Sequence, residues 1–218
     1  MVIYKNRRKV IFIHIPKCGG VSIENSIHKA LGGDSIITRP KLINKPPRID
    51  DDTCKGLKLH SKLYDYSKYY KENIDDFYIF SFVRNPWRRM VSHWEYLISE
   101  GYNKRISEKD KLTFSKFVQV FDNNVLSYSF KNGYDHYLKD TKGTKLNFVG
   151  KLENINEDLI KVGGDINLDI QEVLHTNITD ESLKLYTNWE DYYNPWTKDK
   201  VYQIFKNDIE MYGYEFEE

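Results

Sequence analysis

Three places in this chain gather residue types that handle anions and protons. The first is Pro16-Lys17-Cys18-Gly19-Gly20-Val21-Ser22. Two adjacent glycines let backbone N–H groups approach an oxyanion closely, and a helix starting there adds the positive end of its dipole. Lys17 contributes a full charge and Ser22 a hydroxyl, so the segment suits a phosphate or a sulfate. An ordinary strand-to-helix turn without a ligand is the plain alternative. The second place is Phe82 to Ser92, where Arg84 closes an apolar run and Arg89 and Ser92 stand at the spacing of one helical face. A guanidinium beside a hydroxyl grips a second, more exposed phosphate. A capped helix with surface arginines would read the same way. The third is His60, between Leu59 and Ser61.

The order of residues in the first segment narrows the chemistry. A nucleoside triphosphatase P-loop reads G-x-x-x-x-G-K-[ST], with the lysine after the glycines and the next hydroxyl on magnesium. Here Lys17 precedes the glycines, and no Gly-Lys-Ser/Thr follows. The segment is a phosphate cradle without the magnesium-handling part, and no convincing metal-ligand cluster stands elsewhere in the sequence.

These residues need elements to hold them. Lys9 to Ile15 is an apolar, β-branched run, the pattern of a strand buried on both faces of a parallel sheet. It stops at Pro16 and re-emerges from Ser22 as a helical pattern that Gly32-Gly33 end. Residues 34 to 55 read as a long irregular loop. Gly56 to His60 reads as a short strand whose end would bring His60 to the same sheet edge as Lys17 and Arg84. Asp65 to Asn73 is a polar helix. Phe77 to Val83 is a second apolar strand, with Asn85 suited to an N-cap and Pro86 to the first helical position.

The helix after Pro86 puts Trp87, Met90, Val91, Trp94 and Leu97 on a core stripe and Arg89, Ser92, His93 and Tyr96 on the opposite, polar one. Phe114 to Phe121 and Asn154 to Val162 read as helices, Leu146 to Leu152 as a strand, and Lys198 to Met211 as a closing amphipathic helix. His14 lies within the first strand as packing, and His136 and His175 fall in loops. Alternating strands and helices predict an α/β fold around a mostly parallel sheet, one domain over residues 1 to 218.

Composition removes several function classes. Lys+Arg number 33 and Asp+Glu 32, a net charge of +1, which excludes a polybasic nucleic-acid coat. Within that balance, residues 1 to 48 hold ten Lys/Arg against two acids, and the remaining 170 hold 23 against 30. A basic N-terminal region fits an anionic ligand held there, or a solvated basic face. Two cysteines exclude a disulfide scaffold and fit a reducing compartment. No run approaches the ~20 apolar residues of a membrane span, and Val10 to Ile15 is too short for a signal peptide. The expectation is a soluble cytoplasmic protein, or one from which an anchor has been removed.

Ile13-His-Ile-Pro-Lys-Cys-Gly-Gly-Val-Ser22 resembles the 5′-phosphosulfate loop of sulfotransferases, which in the carbohydrate-directed and bacterial branch reads I-P-K-[TC]-G-G-T-S. Phe82-Val-Arg-Asn-Pro-Trp-Arg-Arg-Met-Val-Ser92 resembles the 3′-phosphate motif of the same family, F-V-R-N-P-[WY]-x-R-[LM]-V-S. Phe148 to Asn154 and Asp208 to Phe216 fit further family segments, so the similarity runs in order along nearly the whole chain.

The resemblance implies a P-loop-like α/β fold, 3′-phosphoadenosine 5′-phosphosulfate (PAPS) as donor, no metal, and sulfuryl transfer to a hydroxyl. It places Lys17, Cys18, Gly19, Gly20, Val21 and Ser22 around the 5′ side, and Arg84, Arg89 and Ser92 around the 3′-phosphate. Asn177, in His175-Thr-Asn177, becomes a nucleotide contact. Leu59-His60-Ser61 matches the position of the family's catalytic base, with His93 in reserve, and Lys17 would stabilise the leaving phosphate. Glu153 would orient site residues or cap the next helix. The acceptor implied is a sugar hydroxyl on a polysaccharide, glycolipid or small glycoside, bounded by the loops at 34 to 55 and 101 to 112.

Three residues depart from the family pattern. Val21 replaces a threonine and so removes a hydroxyl donor. Arg88 replaces an aspartate. Cys18 replaces the commoner threonine and, at a helix N-terminus, would be oxidation-sensitive. A nucleotide-dependent kinase and a non-catalytic nucleotide-binding protein stay open beside the transferase.

Overall fold

The two apolar runs become the centre of the sheet. In the computed structural model, which describes residues 1–5, 8–31, 36–38, 57–99, 112–121, 132–174 and 185–217, they are β2 (Arg8–Ile13) and β4 (Phe77–Val83). These pair in parallel, Ile11 with Ile79 and Ile13 with Ser81. Both are covered on their two faces, which is why neither alternates apolar with polar residues. β5 (Phe148–Lys151) adds in parallel to β4. On the other side β1 (Val2–Lys5) pairs antiparallel to β2, and β3 (Ile36–Thr38) antiparallel to β1. The sheet order is β3-β1-β2-β4-β5, with four strands pointing one way and β1 the other.

The chain divides into two compact units. The first, residues 1–83 and 134–176, contains the sheet and the helices α1 (Gly20–Leu31), α2 (Leu63–Tyr70), α5 (Tyr134–Leu138) and α6 (Ile155–Asp165). Its core joins Val10, Phe12, Phe80 and Phe82 of the sheet to Ile23 and Ile27 of α1 and Leu159 and Val162 of α6. Phe80 is fully buried and its ring lies 5.0 Å from that of Phe12; truncating a ring packed like this to alanine costs about 3–5 kcal/mol. Because β2 and β4 are parallel neighbours, the segments that follow Ile13 and Val83 leave the sheet at one edge, where open α/β sheets hold their ligands.

The second unit, residues 84–133 and 177–218, contains α3 (Pro86–Ser99), α4 (Phe114–Val120) and α7 (Pro195–Tyr212). Its core is aromatic: Trp94, Phe114, Phe117, Phe121, Tyr192 and Phe205 are all buried. The indole N–H groups find acceptors, Trp94 in the Leu112 carbonyl (2.9 Å) and Trp87 in the Lys198 carbonyl (3.0 Å). α7 opens on Asn194, whose side chain accepts the Thr197 N–H at 2.9 Å, and Pro195 fills the first helical position. It ends at Gly213, held at φ +61°.

Several expectations change. Gly56 to His60 is no strand: of it, residues 57 and 58 carry no regular structure and 59 and 60 form a turn, closed by the Ser61 N–H on the Lys58 carbonyl at 2.9 Å. The Ser61 hydroxyl also accepts the Lys58 N–H at 2.7 Å, so the backbone groups a strand would offer to a ladder are used within the turn. The helix expected over Asp65 to Asn73 is α2 followed by a 3₁₀ turn, Lys71–Asp76. Residues 34 to 55 are not all loop, since Ile36–Thr38 is an edge strand. His136 lies in α5 and not in a loop. The Gly32-Gly33 helix stop and nearly all of the two expected acceptor-side loops, 34 to 55 and 101 to 112, lie outside the described residues. Among the described residues no helix is long and apolar enough to cross a membrane.

Candidate functional site

In the first unit the anion loop follows directly from the end of β2. His14 and Ile15 continue the buried path, and Pro16 to Gly19 make the turn into α1. Lys17 sits at φ +65° and Gly19 at φ +74°. Glycine adopts that region freely, but lysine does so at a cost of roughly 1–2 kcal/mol. Such strain persists only where the surrounding structure holds it, and Lys71 and Asn167 share the positive φ.

Each glycine has a packing reason as well. A Cβ on Gly19 would stand 2.3 Å from Leu152 Cδ1, and one on Gly20 would stand 2.1 Å from His14 Nε2. The loop therefore seats tightly on the 3₁₀ turn Leu152–Asn154, which also carries Glu153, and on the His14 ring. The first ladder bond of α1 runs from the Ile23 N–H to the Gly19 carbonyl at 3.1 Å. The N–H groups of Gly20, Val21 and Ser22 come before it, at the positive end of the helix. Val21 is half-buried and Ser22 nearly buried. Cys18 is 1% exposed and its thiol donates to the Pro16 carbonyl at 3.7 Å, so the expected oxidation-sensitive thiol is shut inside the turn.

His60 comes to this loop through a turn. Its Nδ1 lies 3.0 Å from the carbonyl oxygen of His14. A carbonyl only accepts, so Nδ1 carries the proton, which in the neutral ring leaves the lone pair on Nε2. Its ring meets the His14 ring edge to face at 4.8 Å. His14 follows the strand; it is 4% exposed, and its Nδ1 lies 3.2 Å from Glu24 Oε1, a carboxylate that is 2% exposed. In the sequence His14 reads as packing, and Glu24 belongs to no motif. The signal was present: Glu24 is an acid among Ile23, Ile27 and Leu31, on the face α1 buries.

In the second unit Arg84 and Ser92 are both half-buried. Asn85 caps α3, its Oδ1 accepting the N–H groups of Trp87 (3.0 Å) and Arg88 (3.4 Å). The polar stripe expected on α3 is corrected. Arg89 is 3% exposed, donates from Nη1 to the Asn132 carbonyl at 3.3 Å, and lies over the Phe205 ring. His93 is 1% exposed, its ring edge-on to Phe117 at 5.2 Å. α4 and α7 both pack on α3 and so cover a second stripe that periodicity assigned to solvent. Buried this way, His93 does not serve as a reserve base.

His136 is kept below the usual imidazole range by burial and by the Lys62 charge, against the pull of Asp65. His175 and Asn177 lie outside the described residues. Among the described residues no three His, Cys, Asp or Glu side chains stand together as metal ligands. The first loop offers a lysine, a helix N-terminus and a hydroxyl, groups that suit an oxyanion.

Three comparisons bear on this geometry. The family model described as Sulfotransferase family matches residues 1–215. The crystal structure of a sulfotransferase from Alicyclobacillus acidocaldarius superposes with a TM-score of 0.51 at 15% identity, covering 91% of this chain and 92% of that one. It shows the same P-loop-like α/β fold. An uncharacterized protein of Archaeoglobus fulgidus is 32% identical over 101 residues, 45% of this chain and 74% of that protein. With the family model matching nearly the whole chain, this chain belongs to the sulfotransferase family.

Proposed function

We propose that the protein transfers the sulfuryl group of PAPS to a hydroxyl of a carbohydrate or glycoconjugate, with residues 1 to 218 acting as one catalytic domain in the cytoplasm. The observation that carries this reading is the His60 bond to the His14 carbonyl, three residues before Lys17. It sets an imidazole with its lone pair on Nε2 beside an anion loop that already contains a strained lysine.

In this reading Lys17, Gly19, Gly20 and Ser22 hold the 5′-phosphosulfate, with Cys18 and Val21 as the loop's structural members. Backbone N–H groups take the place of the threonine hydroxyl that Val21 lacks. Arg84 and Ser92 hold the 3′-phosphate, Arg89 braces the helix that presents Ser92, and Asn177 contacts the nucleotide. PAPS supplies a sulfuryl group on a good leaving phosphate. His60 Nε2 accepts the proton of the acceptor hydroxyl as the new O–S bond forms. Lys17 stabilises the charge that passes to the phosphate oxygen as the old S–O bond breaks. The residues position and neutralise, which is how enzymes handle the related phosphoryl transfer.

The test has two arms. Calorimetry should show binding of 3′-phosphoadenosine 5′-phosphate (PAP) and little binding of ATP with magnesium. Transfer of radiolabelled sulfate from PAPS to a panel of mono-, oligo- and polysaccharides should then label at least one sugar. Tight ATP binding with no PAP binding would replace the transferase with a kinase.

A further inference from the structure

His14 touches both halves of the first unit's site. Its main-chain carbonyl accepts the His60 Nδ1–H, and its ring lies edge to face with His60 and within 2.1 Å of where a Gly20 Cβ would stand. Phe12 stacks beside it at 5.7 Å, and Glu24 reaches its Nδ1 from α1. A carboxylate at 2% exposure is expensive to bury. Leucine would serve the core better at that position, so the acid implies a task for the ring it holds.

We propose that His14, held by Glu24, is a positioning residue for sulfuryl transfer: one residue sets the tautomer of His60 and floors the Gly20 end of the phosphosulfate loop. This rests on the assignment of the Lys17 loop and His60 given above. Neutral imidazole in water prefers its proton on Nε2, the wrong nitrogen for a base that must accept there. The His14 carbonyl reverses that preference. The Glu24 carboxylate accepts from His14 Nδ1, which turns Nε2 towards Gly20 and fixes how far the first turn of α1 settles. Base and donor loop are thereby registered against one ring, and in-line transfer is lost with displacements of about 1 Å.

The experiment uses the full chain, labelled with ¹⁵N on histidine and recorded above the imidazolium range, with PAP affinity measured by calorimetry. The wild-type His60 signals should show the Nδ1–H tautomer. His14→Ala and Glu24→Ala keep the His14 carbonyl and should leave the Nδ1–H form of His60 in place, while loss of the ring or of its anchor weakens PAP about tenfold, the range for a lost buried hydrogen bond. Glu24→Gln keeps an acceptor oxygen and should hold PAP affinity within about threefold. Gly20→Ala should weaken PAP in the wild type and cost less in the His14→Ala background, where the ring is gone.

An Nε2–H tautomer in the wild type overturns the proposal without any variant. So does wild-type PAP affinity in both alanine variants, when Lys17→Ala has lost PAP. If Lys17→Ala binds PAP like the wild type, the donor-loop assignment fails instead, and the tautomer result still reports the His14–His60 link.

Discussion

The Asn85 side chain donates from Nδ2 to the Glu215 carbonyl at 2.7 Å while its Oδ1 caps the first turn of α3. One amide thus ties the end of the chain to the turn that carries Arg84. Asn85 is fully buried, so both bonds are made away from water. Asn85→Ala should cost about 1–2 kcal/mol in chemical denaturation. Asn85→Asp keeps the cap and removes the donor, and should fall between the two. Equal losses for both would assign the stability to the tail contact alone.

Lys17 is held at φ +65°, where glycine is at ease and lysine is not. Lys17→Gly should therefore stabilise the fold by about 1 kcal/mol, a rise in Tm of about 2–4 °C, while weakening PAP binding. Melting curves and calorimetry on the same sample separate the two effects. A variant that loses both stability and affinity would remove the strain argument.

His60 should matter for turnover and little for donor binding. His60→Ala is expected to lower sulfuryl transfer by about 10²–10⁴-fold with PAP affinity near wild type. Activity equal to wild type would end the role of His60 as base.

The Asp140 carboxyl closes the turn that follows α5, accepting from the Thr144 N–H and hydroxyl at 3.0 and 2.6 Å and from the Lys142 N–H at 3.1 Å. Burial pushes its pKa up, but the hydrogen bonds from the Thr144 and Ser67 side chains and the two backbone N–H groups outweigh that and hold it below the usual value. A depressed folded pKa gives stability that is present above the unfolded value and is lost as pH falls through the folded one. Asp140→Asn should lower Tm at pH 6, with the gap to the wild type closing as pH falls through the depressed folded pKa. A Tm gap that persists unchanged through that fall would assign the effect to packing.

The fold is legible in the linear chain where one element decides its own neighbourhood. Apolar β-branched runs had to be β2 and β4, Pro16 and two glycines had to break the chain between β2 and α1, and Asn85-Pro86 had to start α3. The family motifs lie at those boundaries, so motif and element were legible together. The antiparallel β1 was missed because Val2 to Lys5 is too short to stand out before it pairs with β2.

Residue order alone therefore determined the turn between β2 and α1, the parallel strand pair and the family. Tertiary packing decided which polar side chains face outward. Arg89 and His93 share a stripe that periodicity leaves polar, yet α4 and α7 close over it with aromatic rings. His14 and Glu24, ten residues apart, meet only when α1 folds back on β2, and His60 joins them from a turn 46 residues beyond His14. A helical period describes one element by itself, and burial belongs to whatever packs against it.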